Sequence, residues 1–250
     1  FGFISIFVMM KKIAFLLFVL FCAVFYADSQ ILINEYSAAN YDTYTDNYGE
    51  YEDWIELYNA SPNDIDLNGW FLTDKPNNPT KWMFPSSFVV PSLGTVVIYC
   101  SGRDEINANN AHSNFKITQT KGNEVLMLSD ASSIFQDSIK VFPNQNSHSR
   151  GRETDGSVNW SVFTTATPGA SNVGAMQEYA TSPVFSQTGG YNSTAINLSL
   201  SSPDSNITIY YTINGDEPNN SSTVYSGPIN ITNTTVVKAI AYSADPFVPA

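Results

Sequence analysis

Ile209-Tyr210-Tyr211-Thr212-Ile213-Asn214-Gly215-Asp216-Glu217-Pro218 reads as an alternating strand that runs into Asn-Gly. A period of two sends successive side chains to opposite faces of a strand. Asn-Gly after such a run is the strongest short-range signal for a hairpin turn. Outward from this line the same grammar recurs, and helical periodicity is scarce. Val184–Ser186, Ala195–Ser199, Ile229–Ile231 and Thr235–Tyr242 read as its partner strands.

Further upstream a longer strand series appears. Its members are Ile31–Ser37, Trp54–Asn59, Trp70–Thr73, Trp82–Phe84, Thr95–Cys100, Asn114–Thr118, Glu124–Ser129, Ser138–Phe142 and Ser161–Phe163. Turn signals separate them at Asn68-Gly69, Ser92-Leu93-Gly94, Lys121-Gly122-Asn123 and Asp155-Gly156. Short strands at this spacing predict an all-β fold built as a β-sandwich. Thr167-Pro168-Gly169 through Asn172 closes the series, and the small polar residues 173–182 read as a linker. The expected organisation is two immunoglobulin-like β-sandwich domains, 31–172 and 183–250. The second is expected to be truncated at its C-terminus.

The chain carries 11 basic and 23 acidic residues, a net charge of −12. That balance excludes nucleic acid as a partner, since phosphate binding needs a basic face. Aromatics reach 14%, too many for a disordered acidic tail. Residues 1–30 read as upstream residues plus a secretory signal. Lys11-Lys12 precede the apolar run Ile13–Tyr26, and cleavage is expected between Ala27 and Ile31. The run is shorter than the ~20 residues of a membrane span. Its removal takes Cys22 and leaves Cys100 alone, so an exported chain holds no intrachain disulfide and depends on a hydrophobic core.

Ordered pieces of the first series carry a resemblance. Ile33-Asn34-Glu35, Asp53-Trp54-Ile55-Glu56-Leu57-Tyr58-Asn59 and Leu67-Asn68-Gly69-Trp70 come first. Gly122-Asn123-Glu124-Val125, Gly151-Arg152, Asp155-Gly156, Trp160 and Thr167-Pro168-Gly169 with Asn172 come after them. Together they resemble the lamin-tail domain of exported bacterial proteins, which implies an immunoglobulin-like sandwich without catalytic activity. In the second series, Tyr210-Tyr211-Thr212, Asn214-Gly215, Glu217-Pro218, Tyr225 and Val237-Lys238-Ala239-Ile240-Ala241-Tyr242 resemble the C-terminal module of chitobiases and β-hexosaminidases. That module is not the catalytic part of those enzymes. The pair resembles the front of exported proteins that continue into a CotH-like kinase domain.

Few constellations suggest chemistry. Seven acids and no base lie between Glu35 and Glu56. Asp42, Asp46 and Glu50, near Gly49, are the candidates for a Ca²⁺ loop, though the EF-hand pattern is absent. The plainer reading is a solvated acidic loop. Glu52, Asp53 and Glu56 fall on alternating faces and form no convergent acid/base pair. Cys100 and His112 could form a nucleophile pair, but nothing in the sequence orients them. Their plainer roles are a buried thiol and a packing residue. Arg150 and Arg152 suit pairing with Glu153 or Asp155. Trp54 and Trp70 read as core. Trp82 and Trp160 border turns and are the candidates for stacking on a ligand. No catalytic site and no resident cofactor other than Ca²⁺ is expected.

The expected function is a secreted or cell-surface, non-catalytic protein acting in adhesion, spacing or targeting. Its partner would be a surface protein or polysaccharide. Two alternatives stand beside it: a carbohydrate-binding front for a secreted hydrolase, and an accessory region of a CotH-like kinase beyond residue 250.

Overall fold

The computed structural model describes residues 30–250. The expected signal segment therefore lies outside the described residues. Every element described is a strand. No helix among the described residues is long and apolar enough to cross a membrane.

The first strands are β1 (Ile31–Ser37), β2 (Trp54–Asn59), β3 (Ile65–Asp66), β4 (Phe71–Thr73), β5 (Trp82–Met83), β6 (Val89–Val90) and β7 (Thr95–Tyr99). They continue as β8 (Glu105–Asn107), β9 (Asn110–His112), β10 (Val125–Ser129), β11 (Phe135–Lys140), β12 (Ser149–Arg152) and β13 (Trp160–Phe163). A seven-stranded sheet of order β13-β12-β1-β2-β7-β9-β8 faces a four-stranded sheet of order β11-β10-β4-β5. Ile31, Ile33, Tyr36, Ile55, Leu57 and Ile98 of the large sheet are buried in one core with Leu72, Trp82, Leu126 and Leu128 of the small one. Each fully buried Leu or Ile contributes about 1.5–3 kcal/mol of transfer free energy.

The expected strand Asn114–Thr118 is not formed. Its place is taken by the β8–β9 hairpin, with β9 parallel to β7. The tight turn between them puts Ala108 at φ 55°, where the sequence offers no glycine to announce it. The strand β12 is equally silent, because Ser-Arg-Gly-Arg shows no apolar alternation.

One irregularity decides what the outer face of the large sheet carries. The register of β1 on β2 shifts between Ile33 and Glu35, so Asn34 is an extra residue in β1. Such a bulge re-aims the side chains after it. Ile33 opposite Leu57 and Tyr36 opposite Ile55 then both reach the core. Glu35 is left opposite Glu56 on the other face of the sheet.

The second module has β14 (Val184–Phe185), β15 (Ile196–Leu198), β16 (Leu200–Ser201), β17 (Ile207–Thr212), β18 (Thr223–Val224), β19 (Ile229–Ile231) and β20 (Lys238–Ser243). They form the pairs β14-β16 and β15-β19 and the sheet β18-β17-β20. Its buried hydrophobic residues are Leu198, Leu200 and Ala241. Residues 173–182 are tied at both sides. Met176 pairs with Val162, Glu178 takes a two-pronged bond from Arg150, and the Gln177 amide donates to the Phe247 carbonyl.

Candidate functional site

The carboxylates that converge are Glu35 and Glu56, and both are fully buried. The sequence places them in a segment expected to be solvated. The bulge at Asn34 pairs them across β1 and β2, and the turn Thr167–Asn172 covers them. Glu35 accepts from the Ser149 hydroxyl, the Thr167 amide (3.0 Å) and the Thr167 hydroxyl (2.7 Å). Glu56 accepts from the Gly169 amide (2.7 Å) and from Asn34 Nδ2 (2.9 Å). Asn172 Nδ2 donates to the Arg152 carbonyl at 2.6 Å, and its amide donates to Asp155 Oδ1 at 2.9 Å. Burial pushes Glu56 up to about 8, against the help of its Asn34 bond and with the Glu35 charge adding to the rise. Burial raises Glu35 as well. The pair has no access to solvent, so it clasps the closing turn onto the sheet and offers no substrate a general acid or base.

Gly151 sits opposite Glu35 on β12. A Cβ there would lie 3.0 Å from Asn172 Nδ2 and Glu35 Cγ and 3.1 Å from the Asn34 carbonyl oxygen. Only glycine allows this approach. Arg152 donates to the Ile33 carbonyl and pairs with Asp137 at 2.8 Å. The expected partners, Glu153 and Asp155, are thus not those of either arginine. Asp137, on the facing sheet, and Glu178, in the segment after β13, lie nearer.

The remaining acids support a loop, residues 40–53. Asp46 is buried, and its carboxylate accepts from the amides of Tyr48 (2.8 Å) and Glu50 (2.9 Å). Its second oxygen pairs with Arg103 at 2.9 Å. Asp42 is exposed and accepts from the Ser147 hydroxyl, while Glu50 is exposed. The three Ca²⁺ candidates therefore do not share a centre. Among the described residues no three His, Cys, Asp or Glu side chains are grouped to hold a metal ion. Asn40 fixes the base of the loop, donating to the Tyr44 and Glu52 carbonyls at 2.6 and 2.8 Å.

On this frame stand Tyr41, Tyr48 and Tyr51, exposed by 69%, 49% and 48%. Tyr48 is held by a 2.6 Å bond to Glu105 and by the Arg103 guanidinium 4.6 Å from its ring centre. Tyr44 stacks on Tyr99, and a groove of about 580 Å³ beside them is lined by Phe88, Val97 and Asn110. Sequence reasoning weighs the acids of this loop and misses its tyrosines. Their recurrence at Tyr41, Tyr44, Tyr48 and Tyr51 is the signal that could have found them.

His112 is buried behind the loop. Its Nε2 donates to Asn47 Oδ1 at 2.7 Å, which leaves Nδ1 to accept from Ser101 at 3.0 Å. Burial lowers its pKa, against the pull of the Asp46 charge. Cys100 is fully buried and its thiol is pushed well above its ordinary value. It is bonded toward Ser113, so the two do not form a nucleophile pair. A buried, undissociated thiol is inert.

The tryptophans correct one expectation outright. Trp82 is 1% exposed, its ring 4.4 Å from Phe84 and its Nε1 donating to Asp104 at 3.0 Å. Bordering a turn does not expose it, because the small sheet turns that face inward. Trp160 is half-buried on β13, between Tyr36 and the Arg152 guanidinium. The two sit on different sheets and make no common stacking platform.

A model of the Lamin Tail Domain matches residues 26–160. A model of the Chitobiase/beta-hexosaminidase C-terminal domain matches residues 187–245. Among curated proteins, none matches the chain.

Proposed function

The chain belongs to the Lamin Tail Domain family, and from that premise we propose that it is a secreted, non-catalytic recognition module. Its contact surface is the loop 40–53. The observation that carries this reading is the contrast within one acidic segment. Glu35, Asp46 and Glu56 are spent inside the fold, while Tyr41, Tyr48 and Tyr51 are held outward on a hydrogen-bonded frame. Tyrosine brings large contact area at low conformational cost, as in antibody loops. Exposed Asp42 and Glu50 beside those rings favour a basic protein surface, through ion pairs and cation–π contact. Export is supported by the leader-like residues 10–30 and by the single cysteine that would remain.

Two measurements test the proposal. Mass spectrometry of the protein recovered outside the producing cell is expected to find an N-terminus between residues 28 and 31. Labelled mature chain is expected to bind the intact cell surface. The triple change Tyr41→Ser, Tyr48→Ser, Tyr51→Ser should weaken that binding about tenfold or more. Equal retention of the triple variant would overturn the loop as the contact surface.

A further inference from the structure

A groove in the second module is built from two stretches of chain that carry no charge. Residues 183–203 and 218–237 contain no Asp, Glu, Lys, Arg or His, in a chain of net charge −12. They meet across an open groove of about 980 Å³ between β14, β15 and β19. Its floor is apolar, with Leu198 buried at the base. Its walls carry the amides of Gln187, Asn192 and Asn233 and the rings of Phe185 and Tyr191. Tyr191 is 95% exposed, so its ring is accessible for stacking by a ligand in the groove.

The lining selects among ligands. A charged ligand finds no counter-charge here, and a polyanion meets a strongly acidic chain. A purely apolar ligand would leave the amides of the walls unpaired, at a cost for each. A neutral ligand with both hydroxyl-rich edges and C–H faces satisfies the lining in full. The amides offer paired donors and acceptors, and the rings offer stacking area. The volume lies at the upper end of the range for small-ligand clefts. We propose that this groove binds a neutral oligosaccharide, with Tyr191 and Phe185 stacking on its sugar rings. The site is separate from the loop 40–53, and its test is independent of that one.

The experiment is titration of the full mature chain with cellohexaose, laminarihexaose, mannohexaose and N-acetylchitohexaose, with hexagalacturonate as the anionic counterpart. Binding is read by calorimetry and by the tyrosine ring signals in NMR. At least one neutral hexamer should bind and shift the Tyr191 ring signals. Tyr191→Ala should weaken that binding about tenfold, and Asn233→Ala should weaken it less. Tyr41→Ala should leave it unchanged. Tyr191 is so exposed that its removal keeps the fold, which circular dichroism verifies. The proposal is overturned if no neutral hexamer binds at millimolar concentration, or if hexagalacturonate binds as tightly. It also fails if Tyr191→Ala leaves affinity intact, or if that change alters sedimentation, which would make a second copy of the chain the occupant.

Discussion

The two modules share a strand grammar and differ in what they seal. In the first, two sheets enclose a continuous core, and even its outer face is closed by a turn over two buried carboxyls. In the second, three small sheets bury Leu198, Leu200 and Ala241 and leave an open groove. A strand pattern therefore predicts pairing, but not how much apolar surface the pairing removes from water. The first module owes its stability to packing. The second relies more on backbone pairing and on ties such as the Gln177 bond to Phe247.

The contrast predicts a graded set of effects. The largest is Trp82→Ala, which empties a buried ring site and should cost the first module about 3–5 kcal/mol. Thermal melts should show that module's transition falling sharply while the second module's moves little. A common shift of both would break the comparison by making them one cooperative unit.

Next is Gly151→Ala. The added methyl meets a backbone oxygen and two side chains at 3.0–3.1 Å, so about 1–3 kcal/mol should be lost, read by urea denaturation. Leu198→Ala in the thinner core is expected to cost about 2 kcal/mol, at the low end for such a truncation, because the open groove lets its neighbours relax.

The clasp makes stability depend on pH. A carboxyl whose pKa rises on folding holds its proton in the native chain after the unfolded chain has lost it. Its contribution is therefore most favourable below about pH 4.5 and is lost as pH rises towards about 8, the value reached by Glu56. The histidines His112 and His148 act in the opposite direction, since desolvation lowers both. The informative quantity is the difference between wild type and Glu56→Gln. Melting curves should show wild type losing ground to the variant between pH 4.5 and 8, by roughly 1–3 kcal/mol. A difference that does not change with pH would mean that Glu56 is not held protonated.

The smallest effect sharpens the boundary between modules. Glu178→Ala removes the two-pronged bond from Arg150. Glu178 is largely exposed in its side chain, so about 0.5–1 kcal/mol is expected, and less in high salt.

Most strands are legible in the sequence because they carry apolar alternation, as in Trp54–Asn59 and Ile207–Thr212. The strands that escape are either polar, as in Ser149–Arg152, or only two or three residues long, as in Ile65–Asp66, Val89–Val90 and Thr223–Val224, and their places are fixed by their neighbours in the sheet. The candidate site is less legible. That Glu35 and Glu56 are buried depends on one inserted residue, Asn34, and on a turn more than a hundred residues away. Neither leaves a local trace. Trp82 is misleading for the same reason, since nearness to a turn says nothing of which face the turn closes. The linker-like composition of residues 173–182 is similarly silent about Arg150 and His148, which grip Glu178 and Tyr179.

The order of the large sheet also sets how it carries a pull. β1 and β13 are both antiparallel to β12, which lies between them, so they run in the same direction. A tension applied at Ile31 and beyond Phe163 is directed along the strands. Their rungs are then loaded together in shear, rather than one at a time as in an opening zip. Before that load reaches the sheet, it must peel Thr167 from Glu35 and Gly169 from Glu56. The carboxyl clasp thus also works as a latch at the point where force would enter.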